Sequence, residues 1–252
     1  MLVICNGMFR SGSTLQYNLA RELLERLGCG TGHGFFDGEA ITADRNEIQR
    51  WLNDEKLHIV KTHKIPPIVF DPQFFNRFRI LYIYRDLRDV AVSLKRRDQY
   101  ASYSDKKLLQ VLDLAVDIFN RVTPLPNALI QQYETLTNDL DTALHEIAGF
   151  LNMPIDPKTA NHVIHACSID GIEPAIKRTR LRQKISSSRF GAMLRKWKLL
   201  SRTYDSRTLL HGNHISTSRG ASVWRVALTT DDANFIFERY KNWFEITGYK
   251  AA

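Results

Sequence analysis

The chemistry of this chain gathers near its N-terminus, in Gly7-Met-Phe-Arg-Ser-Gly-Ser-Thr14. One arginine, three hydroxyls and two glycines within eight residues suit a single task, the holding of an anion. Arg10 brings the charge, and Ser11, Ser13 and Thr14 bring hydroxyl donors. Gly7 and Gly12 let the backbone come close to a ligand. The flanks say how these donors are aimed. Leu2-Val-Ile-Cys-Asn6 is a short apolar strand, and Leu15, Leu19, Leu23, Leu24 and Leu27 recur at helical spacing. A strand feeding a helix through a tight turn points the first-turn N–H groups at that turn, where the helix dipole adds partial positive charge. The other reading is an ordinary strand–helix turn whose serines cap the helix.

The spacing approaches the nucleotide P-loop pattern G-x-x-x-x-G-K-[ST]. Gly7, Gly12 and Thr14 match it, and Ser13 stands where the lysine belongs. A kinase or NTPase of that type needs the lysine on its β- and γ-phosphates. The departure argues against ATP hydrolysis and for another anion, with the positive charge moved into the loop at Arg10.

The elements that must position this loop recur down the chain. His58-Ile-Val-Lys-Thr-His-Lys64, Arg79-Ile-Leu-Tyr-Ile-Tyr-Arg-Asp86 and Asn127-Ala-Leu-Ile-Gln-Gln-Tyr-Glu134 each read as a strand. In open α/β sheets, active residues sit at the carboxyl ends of strands, which is where Lys61, Thr62, His63 and Arg85 fall. Helices are expected over 44–52, over 87–94 with Asp86 as N-cap, and over 106–122. Another carries Leu140, Leu144, Ile147, Ala148 and Leu151 on one face. The last starts near Thr230 and buries Phe235, Ile236, Tyr240, Trp243 and Phe244. The glycine-rich stretch 28–40 reads as loop with His33 inside it, and its two phenylalanines, Phe35 and Phe36, either tuck into the core or face a substrate. From about 171 to 210 the chain is crowded with Lys and Arg, with Phe190, Met193, Leu194 and Trp197 as one helical face. This is a solvated basic surface, a mobile cover or an acceptor platform. The pattern predicts one α/β domain over 1–252: a central, mainly parallel sheet of four or five strands between helical layers.

The chain has 252 residues, 44% of them hydrophobic and 25% charged, the balance of a globular domain with a full core. A formal charge of +8 favours anionic ligands without choosing among them. No apolar run reaches a membrane span, the N-terminus does not read as a signal peptide, and no recognised nucleic-acid motif is present. The three cysteines, Cys5, Cys29 and Cys167, lack metal or disulfide spacing, so a cytoplasmic protein is expected.

Phe9-Arg-Ser-Gly-Ser-Thr-Leu15 resembles the 5′-phosphosulfate loop of sulfotransferases that use 3′-phosphoadenosine-5′-phosphosulfate (PAPS). Later segments resemble the same family in the same order. Lys61-Thr62-His63 resembles its catalytic strand end. Tyr84-Arg-Asp-Leu-Arg-Asp-Val-Ala-Val-Ser93 resembles its 3′-phosphate motif, the alternative there being a salt-bridged strand–helix junction. Tyr133-Glu134, Leu136 and Phe150-Leu151 resemble its adenine segment. The stretch around Arg219, Gly220 and Trp224 resembles its C-terminal phosphate loop "RKGxxGDW". That last match departs at Ser218, in a shortened Gly-to-Trp interval, and in the missing second glycine and aspartate.

The resemblance implies a P-loop-like core and transfer of a sulfuryl group from PAPS to a hydroxyl or amine, leaving adenosine 3′,5′-bisphosphate (PAP). The acceptor would be a small molecule, lipid or carbohydrate. Catalysis would fall to His63 as general base, with Arg10 and Lys61. The cofactor would be held by Arg10, Ser11, Gly12, Ser13, Thr14, Arg85, Ser93, Tyr133, Arg219 and Gly220, without a metal. Tyr133 reads equally as a core tyrosine at a strand end. The rival functions are a P-loop kinase or NTPase, and a non-catalytic nucleotide- or nucleic-acid-binding module.

Overall fold

In the computed structural model, residues 1–42, 45–98, 100–187, 205, 207–210 and 222–251 are described. Five strands form one sheet: β1 (Leu2–Gly7), β2 (Gly30–Phe35), β3 (Leu57–Lys61), β4 (Phe78–Tyr84) and β5 (Ala128–Gln132). Their order is β2-β3-β1-β4-β5, and every neighbouring pair is parallel.

β1 and β4 are apolar without a break because both their faces are covered. Leu2, Ile4, Ile80 and Tyr82 point to one side, where α2 (Asn46–Asn53), α3 (Leu87–Asp98), α4 (Lys106–Val122) and the last helices pack. Val3, Cys5, Leu81 and Ile83 point to the other, against α1 (Ser13–Arg26) and two further helices, Leu140–Phe150 and Pro157–Cys167. The period-two alternation of strand side chains thus divides the core into the two halves of a three-layer sandwich.

The register sets the level of the site. Cys5 pairs with Lys61, and Gly7 pairs with Ile83. β3 and β4 lie on opposite sides of β1, so the loop after β1 emerges where the chain order of the sheet reverses, the usual crevice for ligands in open α/β sheets.

Two expectations need correction, and two helices were not foreseen. The stretch 28–40 is not all loop, because β2 is an edge strand paired with β3. Its glycines serve packing: a Cβ on Gly32 would lie 2.6 Å from the side chain of Arg21, which α1 lays directly on the strand. Phe235 is 40% exposed rather than buried, and the C-terminal helix is two, Thr230–Arg239 and Lys241–Thr247, broken at Tyr240. Pro157–Cys167 is a helix that the apolar spacing did not reveal. The basic stretch begins inside a helix, Ile169–Ser187, whose Ile172 and Ile176 pack on Leu210. The start of the stretch is therefore packed through Ile172 and Ile176. The face expected from Phe190 to Trp197, His214, and the cofactor candidates Arg219 and Gly220 lie outside the described residues. No helix among the described residues is long and apolar enough to cross a membrane.

Candidate active site at the carboxyl edge of the sheet

Arg10 is the pivot of the loop after β1. Its φ of 65° lies in the left-handed region, which costs a non-glycine residue about 1–2 kcal/mol. Its side chain crosses to α3, with Nε donating to Ser93 Oγ at 2.8 Å. Its carbonyl accepts from Arg85 Nη1 at 3.2 Å. One strained residue thereby binds the loop to α3 and to the end of β4.

Gly12 precedes α1 with φ of 86°, and no side chain caps that helix. The amides of Leu15 and Gln16 turn back to the Gly12 carbonyl, while those of Ser13 and Thr14 sit in the first turn, beyond the reach of intrahelical acceptors. The capping-serine reading of this turn is therefore not what is built. Ser11 lies under the turn. It is fully buried, its amide and its hydroxyl both donate to the Met8 carbonyl, and the hydroxyl also lies 3.1 Å from the Ile83 carbonyl. Ser11 shapes the turn from beneath, with its hydroxyl hydrogen given to the Met8 carbonyl.

The end of β3 stands beside this loop. Asn6, fully buried, donates from Nδ2 to the Thr62 carbonyl at 3.1 Å and fixes the strand end that carries His63. Lys61 Nζ lies 3.4 Å from His63 Nε2. When Lys61 is an ammonium, which has no lone pair, Nε2 is the acceptor in this contact, the tautomer that a general base uses. The rings of Phe9 and His63 stack at 5.0 Å, and Phe35 tilts against His63 at 5.6 Å. Phe35 is 48% exposed, whereas Phe36 packs on Trp51, so of the two phenylalanines it is Phe36 that tucks into the core. His33 stands apart from this group: its Nε2 is 2.8 Å from His58 Nδ1, and its ring stacks on Trp51 at 3.9 Å.

Burial of Lys61, 4% exposed, pulls its amine down to about 8. A base whose native pKa lies below its unfolded value destabilises the fold fully below the native pKa, and the penalty vanishes above the unfolded one. Lys61→Met is therefore expected to stabilise the protein by about 1–3 kcal/mol at pH 7. The gain should fade as pH rises from about 8 towards 10.5. Urea unfolding of both proteins across that range checks this.

The end of β4 supplies the other wall. Arg85 sits on the face of the Tyr133 ring, 4.0 Å from its centroid, and Nη2 donates to Asp89 at 3.2 Å. The strand–helix junction is thus salt-bridged, and it also reaches the anion loop through the Arg10 carbonyl. Asp86 accepts the amide and the guanidinium of Arg88, as the expected N-terminal cap of α3. Tyr133 opens a short helix, Tyr133–Asn138, packed between Arg85 and Gly12. The structure therefore gathers Arg10, Gly12, Ser13, Thr14, Arg85, Ser93 and Tyr133 on one side, with Lys61 and His63 adjoining. Asn6, Phe9 and Asp89 join them without having been singled out. Asn6 ends an apolar strand with a buried amide, a signal available in the sequence, whereas the partners of Asp89 lie far along the chain.

The fold is shared with known proteins. The solved structures include retinol dehydratase in complex with retinol and PAP, at 16% identity and a TM-score of 0.58, covering 96% of this chain and 81% of that one. Mouse sulfotransferase SULT7A1 complexed with PAP has 16% identity and a TM-score of 0.55, covering 96% and 84%. Retinol dehydratase with androsterone and inactive cofactor PAP has the same identity and score, covering 96% and 80%. These likenesses show the fold. No curated protein matches. The model of the sulfotransferase domain family matches residues 33–248, and the chain belongs to the sulfotransferase family.

Proposed function

We propose that this chain transfers a sulfuryl group from PAPS to the hydroxyl of a small apolar acceptor. The observation that carries the reading is the bond from Arg10 Nε to Ser93 Oγ. It ties the loop after β1 to the β4–α3 junction, so that the donors of Arg10 and of Arg85 stand side by side and suit a ligand with a pair of anionic groups. PAP offers such a pair, a 5′-phosphate and a 3′-phosphate. The donor set fits it: guanidinium groups, hydroxyls and first-turn amides suit phosphate oxygens.

When bound, PAPS supplies the sulfuryl group and leaves as PAP. The residues of the chain divide the remaining work. The amides of Ser13 and Thr14 and the Thr14 hydroxyl hold the 5′-side phosphate. Arg10 stabilises the charge that gathers on its bridging oxygen. Arg85 and Ser93 hold the 3′-phosphate, and Tyr133 lies where an adenine would meet the Arg85 side. His63 Nε2 takes the acceptor proton, and the Lys61 ammonium faces the sulfuryl oxygens. Phe9 and Phe35, against His63, favour an apolar acceptor, and the retinol and androsterone of the solved neighbours support that class. The free cysteines Cys5, Cys29 and Cys167 support a reducing compartment such as the cytoplasm.

Calorimetric titration with PAP and with 5′-AMP tests the site. PAP is expected to bind at least tenfold tighter, or about 1.4 kcal/mol. Equal affinities would remove the reason for Arg85 and Ser93 and with it the PAPS assignment.

A further inference from the structure

Asp89 is a buried carboxylate, 1% exposed, that the chemistry above does not use. Its Oδ2 accepts from Arg85 Nη2 at 3.2 Å and from the Ser222 amide at 2.9 Å. Its Oδ1 accepts from the Trp224 amide at 2.8 Å. Ser222 has a φ of 64°, so the carboxylate fastens a left-handed residue. Burying a carboxylate is costly unless its lone pairs are well met. Here the donors are a site arginine and two amides from the far end of the chain.

The arginine is held on both arms. Nη1 goes to the Arg10 carbonyl and Nη2 to Asp89, with the guanidinium laid on Tyr133. A guanidinium fixed at two N–H groups cannot rotate, so its remaining N–H groups keep one direction. The amides of Ser222 and Trp224 are drawn to the same carboxylate, which fixes the entry to the short helix Trp224–Ala227 beside Arg85.

We infer that Asp89 is the positioning residue for recognition of the 3′-phosphate: one carboxylate aims Arg85 and ties the Ser222–Trp224 backbone to the same place. The inference rests on the reading of Arg85 given under Proposed function. Asp89 touches no ligand itself and acts through Arg85.

The test is Asp89→Asn, which keeps the shape and one acceptor oxygen but loses the charge and replaces the second oxygen with an NH2 group. Calorimetry with PAP and with 5′-AMP is run on wild type, Asp89→Asn, Arg85→Ala and the double variant, together with urea unfolding. PAP should bind Asp89→Asn about tenfold more weakly, with 5′-AMP unchanged within about twofold, since only one phosphate contact is misdirected. In the Arg85→Ala background, Asp89→Asn should cost no further PAP affinity. Equal weakening of both nucleotides, or an additive loss in the double variant, would make Asp89 a plain structural residue and overturn the inference. So would a PAP preference that survives in Asp89→Asn. Parity of the two nucleotides in wild type would overturn the reading of the site itself. If Asp89→Asn does not fold, Asp89→Glu, which keeps the charge and displaces it by a methylene, is held to the same ratio.

Discussion

His63→Ala is expected to bind PAP as tightly as wild type and to turn over about 10²-fold more slowly, the usual scale of lost general-base catalysis. The separation follows from place. His63 lies past the end of β3, with Phe9 and Phe35 on its ring and Lys61 at Nε2. The arginines proposed for the phosphates belong to the loop after β1 and the end of β4, and their hydrogen bonds include those to Ser93, to Asp89 and to one another. Removing the imidazole therefore leaves the anion side standing. The Asn6–Thr62 bond, which sets the strand end, does not involve the imidazole either. A calorimetric titration with PAP and a single-turnover assay with a working apolar alcohol give the two numbers. Wild-type turnover would send the search to His214, because His33 is committed to His58 and Trp51. Loss of PAP binding would make His63 a structural residue.

The parts of the candidate site that sequence made legible share one property: they stand where an apolar run stops and a polar residue follows. Lys61, His63 and Arg85 are of this kind, because the carboxyl edge of a parallel sheet lies where buried strands end. The loop from Gly7 to Thr14 was legible as a tight strand–helix turn, but the direction of each hydroxyl was not. A serine looks the same in sequence whether it faces ligand or core, and Ser11 faces the core, where it donates to the Met8 carbonyl. β2 was hidden by its glycines, which resemble turn signals until Arg21 is seen lying across them. Ile169–Ser187 was hidden by Pro174, a residue that usually ends a helix. Asp89 carries no local mark because its partners at Ser222 and Trp224 are more than 130 positions away. Long-range polar pairing, unlike strand ends, has no periodicity to read.

Arg85→Ala is expected to weaken PAP binding about 10²-fold and to abolish the preference for PAP over 5′-AMP. A hydrogen bond to a charged group is worth about 1.5–3 kcal/mol, and a guanidinium can offer a phosphate two of them. Arg85 is only 8% exposed, so its contacts would be little screened by solvent. The variant also loses the bond from Arg85 Nη1 to the Arg10 carbonyl, which helps to hold Arg10 at its left-handed φ of 65°. That second loss predicts a smaller effect on 5′-AMP, about threefold at most, since the bond from Arg10 Nε to Ser93 Oγ remains. In steady state the KM for PAPS should rise, while turnover at saturating PAPS falls far less than in His63→Ala. Arg85→Lys should recover part of the affinity through charge, but it cannot span Asp89 and the loop carbonyl with a planar fork. PAP binding in Arg85→Ala that matches wild type would move the 3′-phosphate away from the end of β4, and the division of labour between the two strand ends would have to be redrawn.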